Sequence, residues 1–499
     1  SSLTVTNCFF ERNAAQVSKA GGVPTEKSAG GGGDIYVNAG TLKLLDSVSQ
    51  NAVAGVLQPS AIPLDDKEYF TGDGGSILVH GEKSNTSVEI QGCYFENSTS
   101  YGNGGAISFS KDSSPDARRY FVIGLPSFQW LPVTAEPSTI GGGCIGLISN
   151  STFTASQGGW HGGAISANGR GMDIDILDSI FRRCKGGTTH MCDGKGGAIA
   201  VGGGLQTDAP PVNDVLVANC LMENCSASGN GGSMYVTIRG KLRVEDTLIE
   251  GCSALNEGQG LPLTTDDYRR SEGMGGGIHV SAGGYLYLQG GDSGCMQIGN
   301  CNAAVSGGGL SVKSGKAFVS GNVIFEGNNA NGSAVDGYGN GGGVFVTTSY
   351  HDDNPPFGAG WGASTLYNDH GMFATVSPGV VITANKANRW GGGFYAGISP
   401  PWYGSWPPKN VNNAVITLVG AMVQSNTAHQ STNESPLMPS QIASERVQGS
   451  SALLNFNSTD ISGNATTDIG IYLWDSIVPG TEGTFFKALA APTITEPQP

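Results

Sequence analysis

Three pairs of adjacent acids, Asp65-Asp66, Asp266-Asp267 and Asp352-Asp353, are the first residues of this 499-residue sequence whose types and spacing could do chemistry. Paired carboxylates serve glycosidases as acid and base, and several converging ones hold Ca²⁺. Each pair falls in an irregular stretch between strand-like segments, and the Gly-His-Gly that accompanies such acids in β-helical polysaccharide hydrolases is absent. Solvated loop charge is the expectation for all three. Asp173 and Asp175 alternate with Met172, Ile174 and Ile176, so they belong to the outward face of a strand. His161, beside Gly162-Gly163, and His279, between Ile278 and Val280, read as outward corner or strand positions. No cysteine pair has the Cys-x-x-Cys spacing of a zinc site, and the seven histidines are scattered. The expectation is a protein without catalytic residues, metal or cofactor.

The cysteines follow a different rule. Cys184, Cys225, Cys252 and Cys301 each stand three residues after an apolar side chain, Phe181, Met222, Ile249 and Ile298. At the same offset other segments carry Asn, as in Phe10-Glu11-Arg12-Asn13, Val48-Ser49-Gln50-Asn51, Phe325-Glu326-Gly327-Asn328, Ile382-Thr383-Ala384-Asn385, Val423-Gln424-Ser425-Asn426 and Ile461-Ser462-Gly463-Asn464. Stacked at rung spacing, the asparagines would form a ladder of amide hydrogen bonds. The cysteines would form either disulfides between neighbouring rungs or a column of small buried thiols. A second column holds Cys8, Cys93 and Cys220, five residues before the first, with Cys295 six before it, too far along an extended strand to bridge within one coil.

The elements that position these residues come from one imperfect repeat. An alternating apolar strand leads to the apolar-x-x-Asn/Cys motif, then a small-residue loop, then Gly-Gly-small-apolar-x-apolar. The last part recurs as Gly32-Gly33-Asp34-Ile35, Gly74-Gly75-Ser76-Ile77, Gly104-Gly105-Ala106-Ile107, Gly162-Gly163-Ala164-Ile165, Gly196-Gly197-Ala198-Ile199 and Gly231-Gly232-Ser233-Met234. It continues as Gly275-Gly276-Gly277-Ile278, Gly307-Gly308-Gly309-Leu310, Gly341-Gly342-Gly343-Val344 and Gly391-Gly392-Gly393-Phe394. Copies at their closest are about 30 to 35 residues apart, which suits a coil of three short strands. The fold class is therefore all-β, a single-stranded right-handed parallel β-helix of about 12 coils over residues 1–476. Insertions are expected near 53–71, 111–140, 254–273, 349–377, 399–411 and 428–448, and 477–499 reads as an extension or linker. The Gly pair marks a corner that uses positive φ and lets neighbouring backbones stack closely.

The pairing of Gly-Gly-Ala-Ile with Phe-x-x-Asn resembles the repeats of the chlamydial polymorphic membrane proteins and their relatives in protists and algae, from Phe10 to about Leu473. The resemblance implies a surface-exposed β-helix used in adhesion. The sequence ends in Pro497-Gln498-Pro499 without the membrane barrel of the chlamydial proteins, so a eukaryotic extracellular relative is expected.

Composition sets the outer limits. Eighty glycines and 13% charged residues fit neither a helical enzyme nor a disordered tail. A net charge of -15 argues against nucleic acid as a partner, and no apolar run approaches the length of a membrane span. The chain opens in mid-repeat at Ser1, which reads as a processed or partial chain. Eight sequons, at Asn85, Asn97, Asn150, Asn224, Asn331, Asn433, Asn457 and Asn464, point to a secreted glycoprotein. The insertions concentrate aromatics and prolines, with Trp130, Trp361, Trp402 and Trp406 as anchors for a partner or glycan, or as cover for the helix flank. The expected function is a structural or adhesive component of a cell surface, appendage or filament, binding itself or other extracellular proteins. The alternative is a glycan-binding or polysaccharide-active β-helix.

Overall fold

The computed structural model describes residues 2–15, 31–55, 72–81, 86–110, 143–169, 171–188, 194–202, 213–237, 240–256, 273–281, 283–291, 294–313, 315–332, 339–348, 372–376, 379–398, 414–428 and strand segments between 439 and 495. The strands are short because the repeat turns a corner every few residues. One full coil runs Gly40–Leu45, Val48–Gln50, Val53–Ala54, Ile77–His80, and each strand pairs in parallel with its counterpart one repeat on. Four ladders result, here sheets A, B, C and D in order along a coil, with 13, 13, 11 and 12 strands. A coil therefore has four strands, not the three expected. The strands of sheet C are two residues long, such as Ser226–Ala227 and Asn329–Ala330, too short for period-two alternation to reveal them.

In-register stacking fills the core with columns of like side chains. On sheet A, Leu42, Val88, Gly146, Ile174, Val215, Leu242 and Leu286 succeed one another. The gap at Gly146 is taken up by the Phe109 ring, 3.2 Å from where a Cβ would stand. On sheet B, Phe95, Phe153 and Phe181 stack with centroids 4.9 and 4.8 Å apart and rings 4° from parallel. These inward residues are essentially inaccessible to water.

The corner that enters D from the C side depends on the Gly pair. The first glycine has φ between 63° and 72° in all ten copies, as at Gly74 and Gly162. A Cβ on the second, as at Gly163, would collide with the stacked carbonyl of Gly197. Both reasons expected for the pair hold, and they apply to different glycines.

The sequence frame needs one correction. Val48 pairs with Phe9 and Tyr94 on the outside of sheet B, so Ser49 faces inward and Ala52, not Asn51, lies in the Asn/Cys column. Asn51 is instead the corner residue, at φ 57°.

Corners from B to C are tight, those from A to B lengthen only as far as 291–295 and 377–380, and the longest connections all leave from the two edges of sheet D. Segments 55–76, 255–277 and 331–343 run from C to D, and 111–143, 349–371 and 399–413 from D to A. The expected insertions thus narrow: Val53–Ala54 belongs to sheet C, Met372–Val376 to sheet A and Pro439–Arg446 to sheet D. That strand and the next of sheet D, Ile469–Asp475, lack a preceding Gly pair, the mark that the other ten carry. Phe486–Ala488 and Thr493–Thr495 carry sheets A and B past residue 476.

Candidate functional site

At the B-to-C corner each coil places one residue outward at positive φ and the next inward. The inward column reads Asn13, Ala52, Ser98, Ser156, Cys184, Cys225, Cys252, Cys301, Asn328, Asn385, Asn426. In its last third the expected amide ladder is present. Asn385 Oδ1 accepts from the Asn328 backbone N–H at 2.9 Å and from Asn328 Nδ2 at 3.0 Å. Its own Nδ2 donates to Phe325 O at 3.0 Å and to Asn426 Oδ1 at 2.9 Å. The cysteines use the same acceptors: the Cys225 thiol points at Phe181 O and the Cys252 thiol at Met222 O, the carbonyls that an asparagine would reach. All four of Cys184, Cys225, Cys252 and Cys301 are fully buried thiols, so of the two alternatives the structure has the thiol column. Burial, reinforced by the neighbouring Cys225 sulfur, pushes the Cys184 and Cys252 thiols well above the usual range. Such thiols are poor nucleophiles.

What the sequence pattern did not reveal is that this column is matched in volume by another. Facing it is the residue after each Gly pair. A Cβ on Gly309 would stand 3.0 Å from Asn328 Nδ2, and one on Gly343 3.1 Å from Asn385 Nδ2. Opposite Asn328 and Asn385 the residue after the Gly pair of the preceding coil is a third glycine, Gly309 and Gly343, as Gly277 is opposite Cys301; for Ser156, Cys184 and Cys225 the Gly pairs of the preceding coils are followed by Ala106, Ala164 and Ala198. Triple glycine in the coil before Asn328 and Asn385 was a readable signal.

At the other end the same space turns polar. Asn13 Nδ2 donates to Asp34 Oδ1 at 2.8 Å, Ser49 Oγ donates to Asp34 Oδ2, and hydroxyls of Ser49, Ser76 and Ser98 link at 2.7 Å each. Burial raises the Asp34 carboxyl above its usual range although these hydrogen bonds oppose it. Its partners are hydroxyls and an amide, which bind an acid in place and offer no second carboxylate.

The second cysteine column sits at the A-to-B corner and is shared with Ser47, Ser151, Ser179 and Thr247. Each side chain donates to the carbonyl two residues back and accepts the N–H of the preceding coil, as in Ser179 N–H to Cys220 Sγ at 3.5 Å and Cys220 N–H to Thr247 Oγ1 at 3.2 Å. Cys220 is thus a substitute for a hydroxyl, and burial pushes its thiol up to about 12. Cys295 is exposed.

Asp173 and Asp175 lie on the outer face of sheet A, as expected. Beside them Asp214 accepts from Lys241 Nζ at 2.8 Å and Arg243 Nε at 2.9 Å. Burial disfavours the Asp214 anion, but those two cations outweigh it and hold the carboxyl below its usual range. The pairs Asp65-Asp66, Asp266-Asp267 and Asp352-Asp353 lie outside the described residues, as do Trp130, Trp361, Trp402, Trp406, Asn85, Asn433 and Asn464. Arg-x-Lys, the spacing that supplies subsite charge in β-helical hydrolases, occurs at Arg183-Cys184-Lys185 and Arg239-Gly240-Lys241. In the first, Cys184 is ladder and Arg183 is a corner at φ 53°. Among the described residues no three His, Cys, Asp or Glu converge as metal ligands, and no helix is long and apolar enough to cross a membrane.

His279 departs from expectation. It points away from the main core, yet it is 1% exposed, because the turns ahead of the Gly pairs fold over the outer face of sheet D. A second apolar layer forms there from Met274, Val305, Phe345, Trp390 and Tyr395. The His279 ring lies 5.6 Å from that of Tyr235, 7° from parallel. Burial, then the nearby Lys313 and Lys195, hold it well below the usual histidine range, and its Nδ1 has no hydrogen-bond partner among the described residues. Outer strand positions are not always wet when a turn doubles back.

Of the sequons, Asn97, Asn150, Asn224 and Asn331 are exposed, and the first three are corner residues with φ of 52°, 46° and 54°. Asn457 ends the strand Ala452–Asn457. No family model matches the chain, and neither a curated protein nor a solved structure matches it.

Proposed function

We infer that the chain is a non-catalytic, extracellular structural or adhesive component of a cell surface, appendage or filament, acting through the margins of sheet D. One observation carries this reading: the interior is filled rung by rung with ladders, while the long connections gather on the two edges of one sheet. Trp130, Trp361, Trp402 and Trp406 all fall in connections from D to A. A stiff rod that carries aromatic, proline-rich loops along one flank presents contacts at intervals fixed by the coil rise, which suits a partner that is itself repetitive. The acidic, sequon-bearing composition and the resemblance to surface-exposed repeats support an extracellular setting. Self-association is the favoured partnership, with other extracellular proteins next.

Electron microscopy of the native protein tests this directly. Ordered filaments or layers whose contacts fall along the sheet D flank are expected. Isolated rods at all concentrations would overturn assembly and turn attention to receptor and glycan binding.

A further inference from the structure

Seven corner asparagines adopt positive φ in coils 1 to 8: Asn7, Asn51, Asn97, Asn150, Asn219, Asn224 and Asn300. Left-handed backbone explains asparagine at all of them. It does not explain why three also carry a hydroxyl two residues on, Thr99, Thr152 and Ser226, on outward strand positions. Between them stand ladder residues Ser98, Ser151 and Cys225. Asn97 and Asn224 lie at one edge of sheet B and Asn150 at the other. The strip they border is only three residues wide, roughly 10 Å at strand rise, and of its two outward rows one is Tyr94, Thr152, Ile180 and Leu221 and the other Glu96, Thr154, Arg182 and Glu223. The first row continues through Leu248, Gln297, Ile324, Val381 and Met422, where no corner sequon flanks it.

The geometry points to N-linked glycans on Asn97, Asn150 and Asn224 that roof the outward row of Tyr94, Thr152, Ile180 and Leu221 on sheet B across coils 3 to 6. A chitobiose core springing from either edge outreaches the strip, so three chains along four rungs, about 14 Å of axis at the spacing of paired strands, cover it. The sugars' C–H faces meet Tyr94, Ile180 and Leu221, and coils 7 to 11 stay bare. This rests on the extracellular reading.

The test is glycopeptide mapping of the full chain secreted from a eukaryotic host, joined to hydroxyl-radical footprinting. Thr99→Val, Thr152→Val and Ser226→Ala together remove the sequons and leave every corner asparagine in its left-handed backbone. Occupancy is expected at all three sites. Radical labelling of Tyr94, Ile180 and Leu221 is expected to rise severalfold in the triple variant, with Leu248 and Ile324 unchanged. Occupied Asn331 with Asn97, Asn150 and Asn224 bare would overturn the roof alone, as would occupancy without any change in labelling. A secreted chain with no glycan at any sequon would remove the glycoprotein reading as well.

Discussion

Replacing Asn385 by alanine removes the middle amide of the ladder, and its cost can be worked out group by group. The Asn328 backbone N–H and one Asn328 Nδ2 hydrogen lose their shared acceptor, and the Phe325 carbonyl loses the amide that donates to it. Asn328 and Asn385 are fully buried, so water cannot replace the lost partner. At about 1–3 kcal/mol for each buried polar group left unsatisfied, and with partial relaxation, Asn385→Ala should cost about 3–5 kcal/mol. Asn385→Cys should cost less than half of that, because Cys225 and Cys252 already make the equivalent bond in this column. Asn385→Leu should be at least as damaging as alanine, since Gly343 leaves no spare volume opposite. A stack of repeats need not unfold as one unit, so the assay is site-resolved native-state hydrogen exchange. The Asn328 amide should exchange about 100-fold or more faster in the alanine variant, at roughly 1.4 kcal/mol per tenfold. Unchanged exchange at Asn328, or cysteine as harmful as alanine, would refute the reasoning.

Three further outcomes are expected. Ala384 sits at a corner with φ 55°, where the equivalent residues Gly251 and Gly327 are glycine; Ala384→Gly should stabilise by about 1 kcal/mol, read as a raised midpoint in thermal unfolding. His279 is held neutral, so its contribution is fully present above the unfolded histidine pKa near 6.5 and is lost as pH falls toward the depressed folded value. Exchange in the layer around Tyr235 should therefore quicken in mild acid, His279→Phe should abolish the effect, and an NMR titration of His279 at the ordinary histidine pKa would contradict it. Cys184, Cys225, Cys252 and Cys301 should resist alkylation in the native protein and all react after denaturation without reductant, whereas Cys8 should react at once; peptide mapping that finds any of the four in a disulfide would count against the thiol column.

The parts of the fold visible in the sequence were those enforced residue by residue in every coil. Gly162-Gly163 is written into the chain because one glycine needs its φ and the other its lack of a Cβ. The Asn328 and Asn385 ladder was visible for a similar reason, since a buried amide at fixed offset has few other uses. Sheet C stayed hidden because two residues cannot show a period, and Val48 misled because an outward valine and an inward Ser49 invert the usual polarity. The inversion follows from Asp34, whose carboxylate takes the Ser49 hydroxyl from across the core. Long-range pairs of that kind, like the burial of His279 under a turn, depend on which segments meet in space.

The B-to-C corner holds two residues in every one of the 11 coils that has a sheet C strand. Removing one would rotate the following sheet C strand by half a period and drive residues such as Lys185 or Lys386 inward, so that side of the rod admits no change of length. Along sheet D, stretches of very different length are taken up without shifting any ladder. The molecule thus has a spine on which selection can only exchange one side chain for another, and a margin that can be lengthened, shortened or replaced. Because the B-to-C corner keeps one length in each rung, duplicating a whole coil would extend the rod and add a new marginal loop without shifting the register of any buried column.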